Sequence, residues 1–206
     1  SGKSTLLNLI PRFYDVTEGS ITIDGIDIRE INKINLRDNI GYIPQKGMLF
    51  SGTIKSNLLY GKNDATDKEL EDAASIAQAS EFIDEKEEKY DYHIAQGGIN
   101  VSGGQKQRLS IARALIKKPK IYIFDDTFSA LDFKTDSNLR KSLSSKVKDT
   151  TVLIVAQRIS TILNADQIIV LDKGKIVGKG THKELMKKCR VYKEIALSQL
   201  SKEELA

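Results

Sequence analysis

Three short stretches of this sequence carry residue types suited to phosphate chemistry. At the start, Gly2-Lys3-Ser4-Thr5 reads as the end of a phosphate-binding loop of the form G-x-x-x-x-G-K-[ST]. A helix N-terminus presents unpaired N–H groups and a partial positive charge, so it suits a phosphate. Lys3 there would reach the β- and γ-phosphates of a nucleotide, and the Ser4 hydroxyl would ligate Mg²⁺. A plain capped helix start is the competing reading of so short a match. The second stretch, Ile121-Tyr122-Ile123-Phe124-Asp125, is an apolar strand ending in an acid, which suits a second anchor for Mg²⁺. The third, Val101-Ser102-Gly103-Gly104-Gln105-Lys106-Gln107-Arg108, runs into a helix carrying Leu109, Ile111, Ala112 and Ala114. Its first residues expose backbone amides and a hydroxyl with no side-chain obstruction.

These residues need elements that bring them to one place. A helix is predicted from Lys3, with Leu6, Leu7, Leu9 and Ile10 apolar and Pro11 near its end. Gly19 to Ile28 alternates apolar and polar residues about Asp24-Gly25, a hairpin signal. Ile40 to Ile43 is a short strand closed by Pro44, and about Thr53 to Glu88 is helical, with Ala73, Ala74, Ile76 and Ala77 on one face. A glycine-rich loop at 97–104 precedes a helix from about Ser102 to Lys117. Strands at Ile121–Phe124, Thr151–Ala156 and Gln167–Leu171 then alternate with helices, one near Lys134–Val147. A hairpin at Lys173-Gly174 and a helical tail over 181–206 follow. The alternation predicts an α/β fold with a mostly parallel sheet and helices on both faces, and Gly2-Lys3-Ser4 paired with the strand-end Asp125 makes a P-loop NTPase (RecA-like) fold the better reading. A parallel strand ending at Asp125 would place its carboxylate beside the phosphate loop. The chain begins inside a motif, so a strand and a first glycine are expected upstream, and the sequence reads as part of a longer protein.

Composition narrows the classes. The 206 residues carry 32 Lys+Arg against 28 Asp+Glu, a net charge of +4 without a long basic block, so a nucleic-acid surface is not indicated. Apolar residues make up 40%, enough for a core and against whole-chain disorder. The single cysteine, Cys189, excludes an internal disulfide framework and fits a reducing compartment. The longest apolar runs are strand-sized, far short of the ~20 residues of a membrane span.

Taken together, the string from Val101 to Arg108, Gly2-Lys3-Ser4 and Asp125 resemble the motifs of the ATP-binding cassette (ABC) ATPases, over essentially the whole chain. The chain looks most like the nucleotide-binding domain of an ABC exporter. The resemblance implies ATP and Mg²⁺ as ligands and a helical subdomain, near 46–115, inserted in a core of about 1–45 and 116–180. Gln45, after Gly41-Tyr42-Ile43-Pro44, looks like the Q-loop glutamine that approaches Mg²⁺ and the attacking water and links to a transmembrane domain. Leu49-Phe50-Ser51-Gly52-Thr53-Ile54 and Asn57 match the exporter pattern, and Ser129-Ala130-Leu131-Asp132 resembles the D-loop at the dimer interface. In the family two cassettes dimerise head to tail, so Ser102, Gly103, Gly104 and Gln105 would serve the partner's ATP. The implied partners are a second nucleotide-binding domain and a transmembrane domain encoded upstream, which places the chain on the cytoplasmic face of a membrane.

Two positions depart from the family pattern. The residue after Asp125 is usually Glu, the base or positioning group for water; here it is Asp126. The strand from Thr151 usually ends in a switch His; here Gln157 stands there, able to hydrogen-bond phosphate but not to carry a proton. Both weaken hydrolysis and spare binding, which resembles the degenerate half of a heterodimeric exporter; tolerated drift in an active homodimer is the bland alternative. Gln96, where exporters often have Glu, is a third departure. A soluble ABC ATPase and a nucleotide-gated clamp with little turnover are the rival functions. His93 and His182 read as surface or loop residues, Cys189 as a helical-tail residue, and Glu85-Lys86-Glu87-Glu88-Lys89 as a solvated face.

Overall fold

Helix starts are specified locally in this chain. Asn32, Thr53, Thr66, Ser102, Asp132 and Thr181 each precede a helix, and the side-chain oxygen of each accepts a first-turn N–H. At Thr66, Ser102 and Thr181 the residue three positions on (Glu69, Gln105, Glu184) reaches back to complete a capping box. A computed structural model describes residues 2–147 and 149–200. In chain order it holds α1 (Lys3–Leu9), β1 (Thr22–Ile23), β2 (Ile26–Asp27), α2 (Lys33–Asp38), β3 (Ile40–Ile43), β4 (Gly52–Thr53), α3 (Ile54–Leu59), α4 (Asp67–Ile76) and α5 (Ser80–Asp84). There follow β5 (His93–Ile94), α6 (Gly103–Ile116), β6 (Ile121–Asp125), α7 (Phe133–Lys146), β7 (Thr151–Val155), β8 (Ile168–Asp172), β9 (Lys175–Gly180), α8 (His182–Lys188) and α9 (Arg190–Gln199).

The centre is a parallel sheet in the order β3-β6-β7, with Ile40 opposite Ile121 and Asp125 opposite Val155. Alternation along β6 assigns its faces. Tyr122 and Phe124 pack with α6 and α7 through Leu109, Ile116, Leu139 and Leu143. Ile123 faces the other way, with Leu7 of α1, Leu36 of α2, Ile28, Ile40 and Val155. The sheet is thus covered on both faces, as the alternation predicts.

The surrounding elements refine that reading. β8 does not extend the parallel sheet; it pairs antiparallel with β9 through Lys173-Gly174, both at positive φ as a type I′ turn requires. The Asp24-Gly25 hairpin has the same signature. The stretch from Thr53 to Glu88 is helical as expected, in three helices, α3, α4 and α5. Its predicted apolar face holds: Ala73, Ala74 and Ala77 are buried, and Ile76 packs against the same core. The tail divides at Cys189, whose extended backbone (φ −116°) ends α8. Residues 201–206 of the predicted tail lie outside the described residues. Tyr192, Ala196 and Leu200 close a third cluster with Ile159, Ile168 and Val170. No helix among the described residues is long and apolar enough to cross a membrane.

One surface clamp ties α4 to the turn after α6. Glu69 accepts from Lys118 at 2.9 Å, from Lys62 at 3.1 Å and from the Thr66 N–H at 3.0 Å. Lys118 foremost, then the Thr66 N–H and Lys62, pull its carboxyl from 4.5 to about 2. A depressed folded value means this stabilisation is complete above about pH 4.5 and lost as pH falls toward 2. In thermal melts, Glu69→Gln is therefore expected to lower Tm at neutral pH, and the gap should narrow below pH 4.5 and largely close by about pH 2.

Candidate functional site

The first turn of α1 and the C-terminal end of β6 meet. Ser4 Oγ donates to Asp125 Oδ1 at 2.8 Å, joining residues 121 positions apart. Gly2 precedes the helix in the left-handed region (φ 80°) that glycine adopts freely. Asp125 is 6% exposed. On its other side stands Tyr42 of β3, whose hydroxyl lies 3.2 Å from Asp125 Oδ2 and 2.9 Å from Asn8 Oδ1. Burial first, then the charge of Asp125 and the bond to it, pushes the Tyr42 phenol up to about 12.

Asp126 turns the chain out of the sheet at φ 48°, a left-handed backbone that Asp tolerates better than most residues. Its N–H donates to Val155 at 3.1 Å, and its carbonyl accepts from the Ser129 hydroxyl at 2.7 Å. So fixed, its carboxylate points into the cleft at 6% exposure. One oxygen, Oδ2, accepts two primary amides: Gln45 Nε2 at 3.0 Å and Gln157 Nε2 at 2.5 Å. Gln45 follows β3 on a loop anchored where Gln107 Nε2 donates to the Pro44 carbonyl at 2.9 Å. Gln157 follows β7.

Gly2, Lys3, Ser4, Thr5, Gln45, Asp126, Val155 and Gln157 line one cleft of about 240 Å³. Seven of the predicted site residues thus converge from four chain segments, and Asp125 stands behind them through Ser4. The donors fit a hard cation: a hydroxyl, a carboxylate and an amide oxygen, with no sulfur or imidazole. Among the described residues no group of three or more His, Cys, Asp or Glu could enclose a metal. A cation here would need oxygens from a bound phosphate to complete its shell, which matches Mg²⁺.

Ser102, Gly103, Gly104 and Gln105 do not line that cleft. They open α6, where Ser102 Oγ accepts the Gln105 N–H at 3.2 Å and Gln105 Oε1 accepts the Ser102 N–H at 2.9 Å. A Cβ at Gly103 would meet nothing within 4 Å, and one at Gly104 only the Ala130 carbonyl at 3.7 Å. Nothing inside the chain therefore requires either glycine. Asp132 caps α7 by accepting the Thr135 N–H at 2.9 Å, and that bond holds its carboxyl below the ordinary range. Gln96 is exposed. His93 is exposed on β5, a surface residue as expected, whereas His182 is half-buried on α8 with Nδ1 on the Tyr192 hydroxyl at 2.8 Å, a packing residue rather than a surface or loop one. Cys189 is buried against Gly178. Sequence reasoning missed Tyr42 and Asn8; a hydroxyl in an otherwise apolar strand is the signal that points to Tyr42.

The family model described as ABC transporter matches residues 1–129. The chain is 50% identical over 202 residues to an uncharacterized ABC transporter ATP-binding protein of Mycobacterium tuberculosis, covering 97% of this chain and 34% of that protein. It is 48% identical over 194 residues to a Staphylococcus aureus protein described as a multidrug export ATP-binding/permease protein, covering 94% and 34%. Its fold matches the structure of a bacterial Atm1-family ABC exporter with ATP bound at a TM-score of 0.94 and 38% identity, over 98% of this chain and 35% of that one. The chain spans about a third of the length of these relatives. With the P-loop NTPase fold and most of the sequence matched, the chain belongs to the ABC transporter family.

Proposed function

We propose that this chain is the ATP-binding and ATP-hydrolysing part of an exporter, holding ATP and Mg²⁺ over α1. The observation that carries this reading is the Ser4–Asp125 bond at the head of the cleft. It joins the hydroxyl and the carboxylate that a phosphate-bound cation requires, beside the N–H groups of α1 and Lys3. Bound Mg²⁺ supplies charge neutralisation across phosphate oxygens. Lys3 and the first-turn N–H groups through Thr5 orient the β- and γ-phosphates, while Asp126 and Gln45 hold the attacking water.

The same site is proposed to turn over slowly. Asp126 is one methylene shorter than the usual Glu, and a misplacement of ~1 Å costs on the order of 10²-fold. Its Oδ2 is already engaged by two amides, neither of which can relay a proton. The signature Ser102–Gln105 and Asp132 lie outside the lining of this cleft, and they would serve the ATP of a second nucleotide-binding domain. The free space at Gly103 supports that assignment, because an external ligand can approach the backbone there. A core of about 1–45 and 116–180 with residues 46–115 inserted, attachment to a transmembrane domain at a cytoplasmic membrane face, and a partner from a different chain complete the proposal. A clamp with little turnover is the second reading, favoured by the doubly engaged Asp126.

Two substitutions test it in the assembled transporter. At Gly103→Leu the new Cβ meets nothing within 4 Å inside the chain, so Tm should hold, while ATP turnover should fall about tenfold or more as the partner's nucleotide is crowded. Asp126→Ala should change turnover only a few-fold, against near-abolition for the corresponding Glu of the partner. Unchanged turnover with Gly103→Leu would remove the signature assignment. An equal loss for both carboxylates would make Asp126 a fully working group.

A further inference from the structure

Gln157 stands at a seam between two separately packed cores. Val155, two residues earlier, packs with Leu7, Leu36 and Ile123 beneath the sheet. Ile159, two residues later, packs with Leu185, Tyr192 and Leu200 of the tail. β7 ends at Val155, so the backbone beyond it has no strand partner and must find hydrogen bonds elsewhere.

Side chains from two distant helices supply them. Gln199, the last residue of α9, accepts the Ile159 N–H on Oε1 at 2.8 Å and donates Nε2 to the Gln157 carbonyl at 2.9 Å. One amide thus meets a donor and an acceptor two residues apart, as a neighbouring strand would. Arg140 of α7 donates Nη1 to the Ser160 carbonyl at 2.9 Å, and buried Asp136 fixes that guanidinium at 3.0 Å. The backbone held in this way carries the Gln157 side chain, whose amide reaches Asp126 Oδ2. α9 is itself seated through Tyr192 and Ala196, four residues apart on one face, and through Leu200 just beyond its end.

We propose that Gln199 is a positioning residue for Gln157: the final helix grips the backbone on both sides of Gln157 and sets where its amide meets Asp126. Gln199 does not line the cleft and touches no reacting group. The inference rests on the reading of that cleft as an ATP site. It makes the tail part of the site's support, so a shift of α9 moves Gln157 without any change in the residues around Lys3.

The test uses Gln199→Ala in the intact native polypeptide. Hydrogen exchange followed by mass spectrometry reads the grip directly and needs no turnover. Exchange across residues 157–161 should quicken at least tenfold while Tm hardly moves, as for an exposed substitution. In steady-state assays kcat for ATP should fall about two- to threefold, no further than on Asp126→Ala, with KM within about twofold. In a Gln157→Ala background the same change should cost nothing further. Gln199→Glu keeps the acceptor for Ile159 but loses the donor to Gln157, so it should fall between wild type and Gln199→Ala in both readouts. Unchanged exchange overturns the proposal, and so does an unchanged kcat or losses that multiply in the double variant. A wild-type protein that does not hydrolyse ATP would sink the functional reading instead, with exchange still deciding whether Gln199 holds the segment.

Discussion

Asp125→Asn is expected to leave the protein folded and to cut Mg²⁺-dependent ATP turnover at this chain's own site by about 10²–10³-fold. The substitution is nearly isosteric. The amide oxygen can still accept from Ser4 Oγ, now 2.8 Å from Asp125 Oδ1, and Tyr42 can accept from the amide nitrogen. What disappears is the negative charge beside the position a phosphate-bound cation would take. A second readout is independent of catalysis. The Tyr42 phenol is pushed up to about 12, chiefly by burial and then by Asp125. Without that charge its titration, followed by ultraviolet absorbance, should move down toward the ordinary value of 10, stopping above it because burial remains. In the wild type, an acid with a raised folded value stabilises fully below pH 10, and that contribution is lost as pH climbs from 10 toward 12. Asp125→Asn should flatten that alkaline decline. Unchanged turnover would remove Asp125 from the cation site even if the tyrosine shift appeared.

The second large effect is expected at Gly47, two residues beyond Gln45. A Cβ there would lie 2.7 Å from the carbonyl carbon and oxygen of Lys106 and 2.9 Å from the Gln107 nitrogen, all backbone atoms of α6. Helix backbone inside a packed core yields little, so the 44–48 loop must move. Pro44 then withdraws from the Gln107 amide, and Gln45 from Asp126. Gly47→Ala is expected to cost about 1–3 kcal/mol in denaturant unfolding and to slow turnover at this chain's own site by on the order of 10-fold to 10²-fold, with the whole transporter slowed only a few-fold, as for Asp126→Ala. Gln45→Ala supplies the comparison: it should lower turnover with little loss of stability. A Gly47→Ala protein as stable and as active as wild type would mean that the loop adapts without moving Gln45.

Much of the scaffold is legible because its signals are local. The type I′ turns at Asp24-Gly25 and Lys173-Gly174 depend on two residues each, and the Ser102–Gln105 box is written in four. Asp125 is legible for a related reason: a charged residue ending an apolar strand has few places to go except the sheet's edge. The tail's break at Cys189 is not legible, since no proline or glycine marks it and tertiary packing on Gly178 sets it. Nor is the shared acceptor at Asp126. Sequence gives Gln45, Asp126 and Gln157 as three separate residues; their convergence on one oxygen depends on the left-handed backbone at Asp126 and on loops fixed by Gln107 and Gln199. The two-residue pairing of β4 with β5 escapes any reading by periodicity, because two residues define no period.

The pairing of β3 with β6 also orders events during synthesis. Ile43 finds Phe124 only after every residue of α3 to α6 has left the ribosome. At translation rates of about 5–20 residues per second, that interval is on the order of 4–16 s. Helix formation takes around a microsecond by comparison. The nascent segment therefore has ample time to condense α3, α4 and α6 on one another before the first parallel pairing closes. β3 meanwhile waits as an apolar strand whose β6-facing edge is unpaired. The vulnerable species of this chain is thus a partly synthesised one, with the β3 edge that Ile121–Phe124 will cover still unpaired, and its yield in cells should respond to translation speed and chaperone supply.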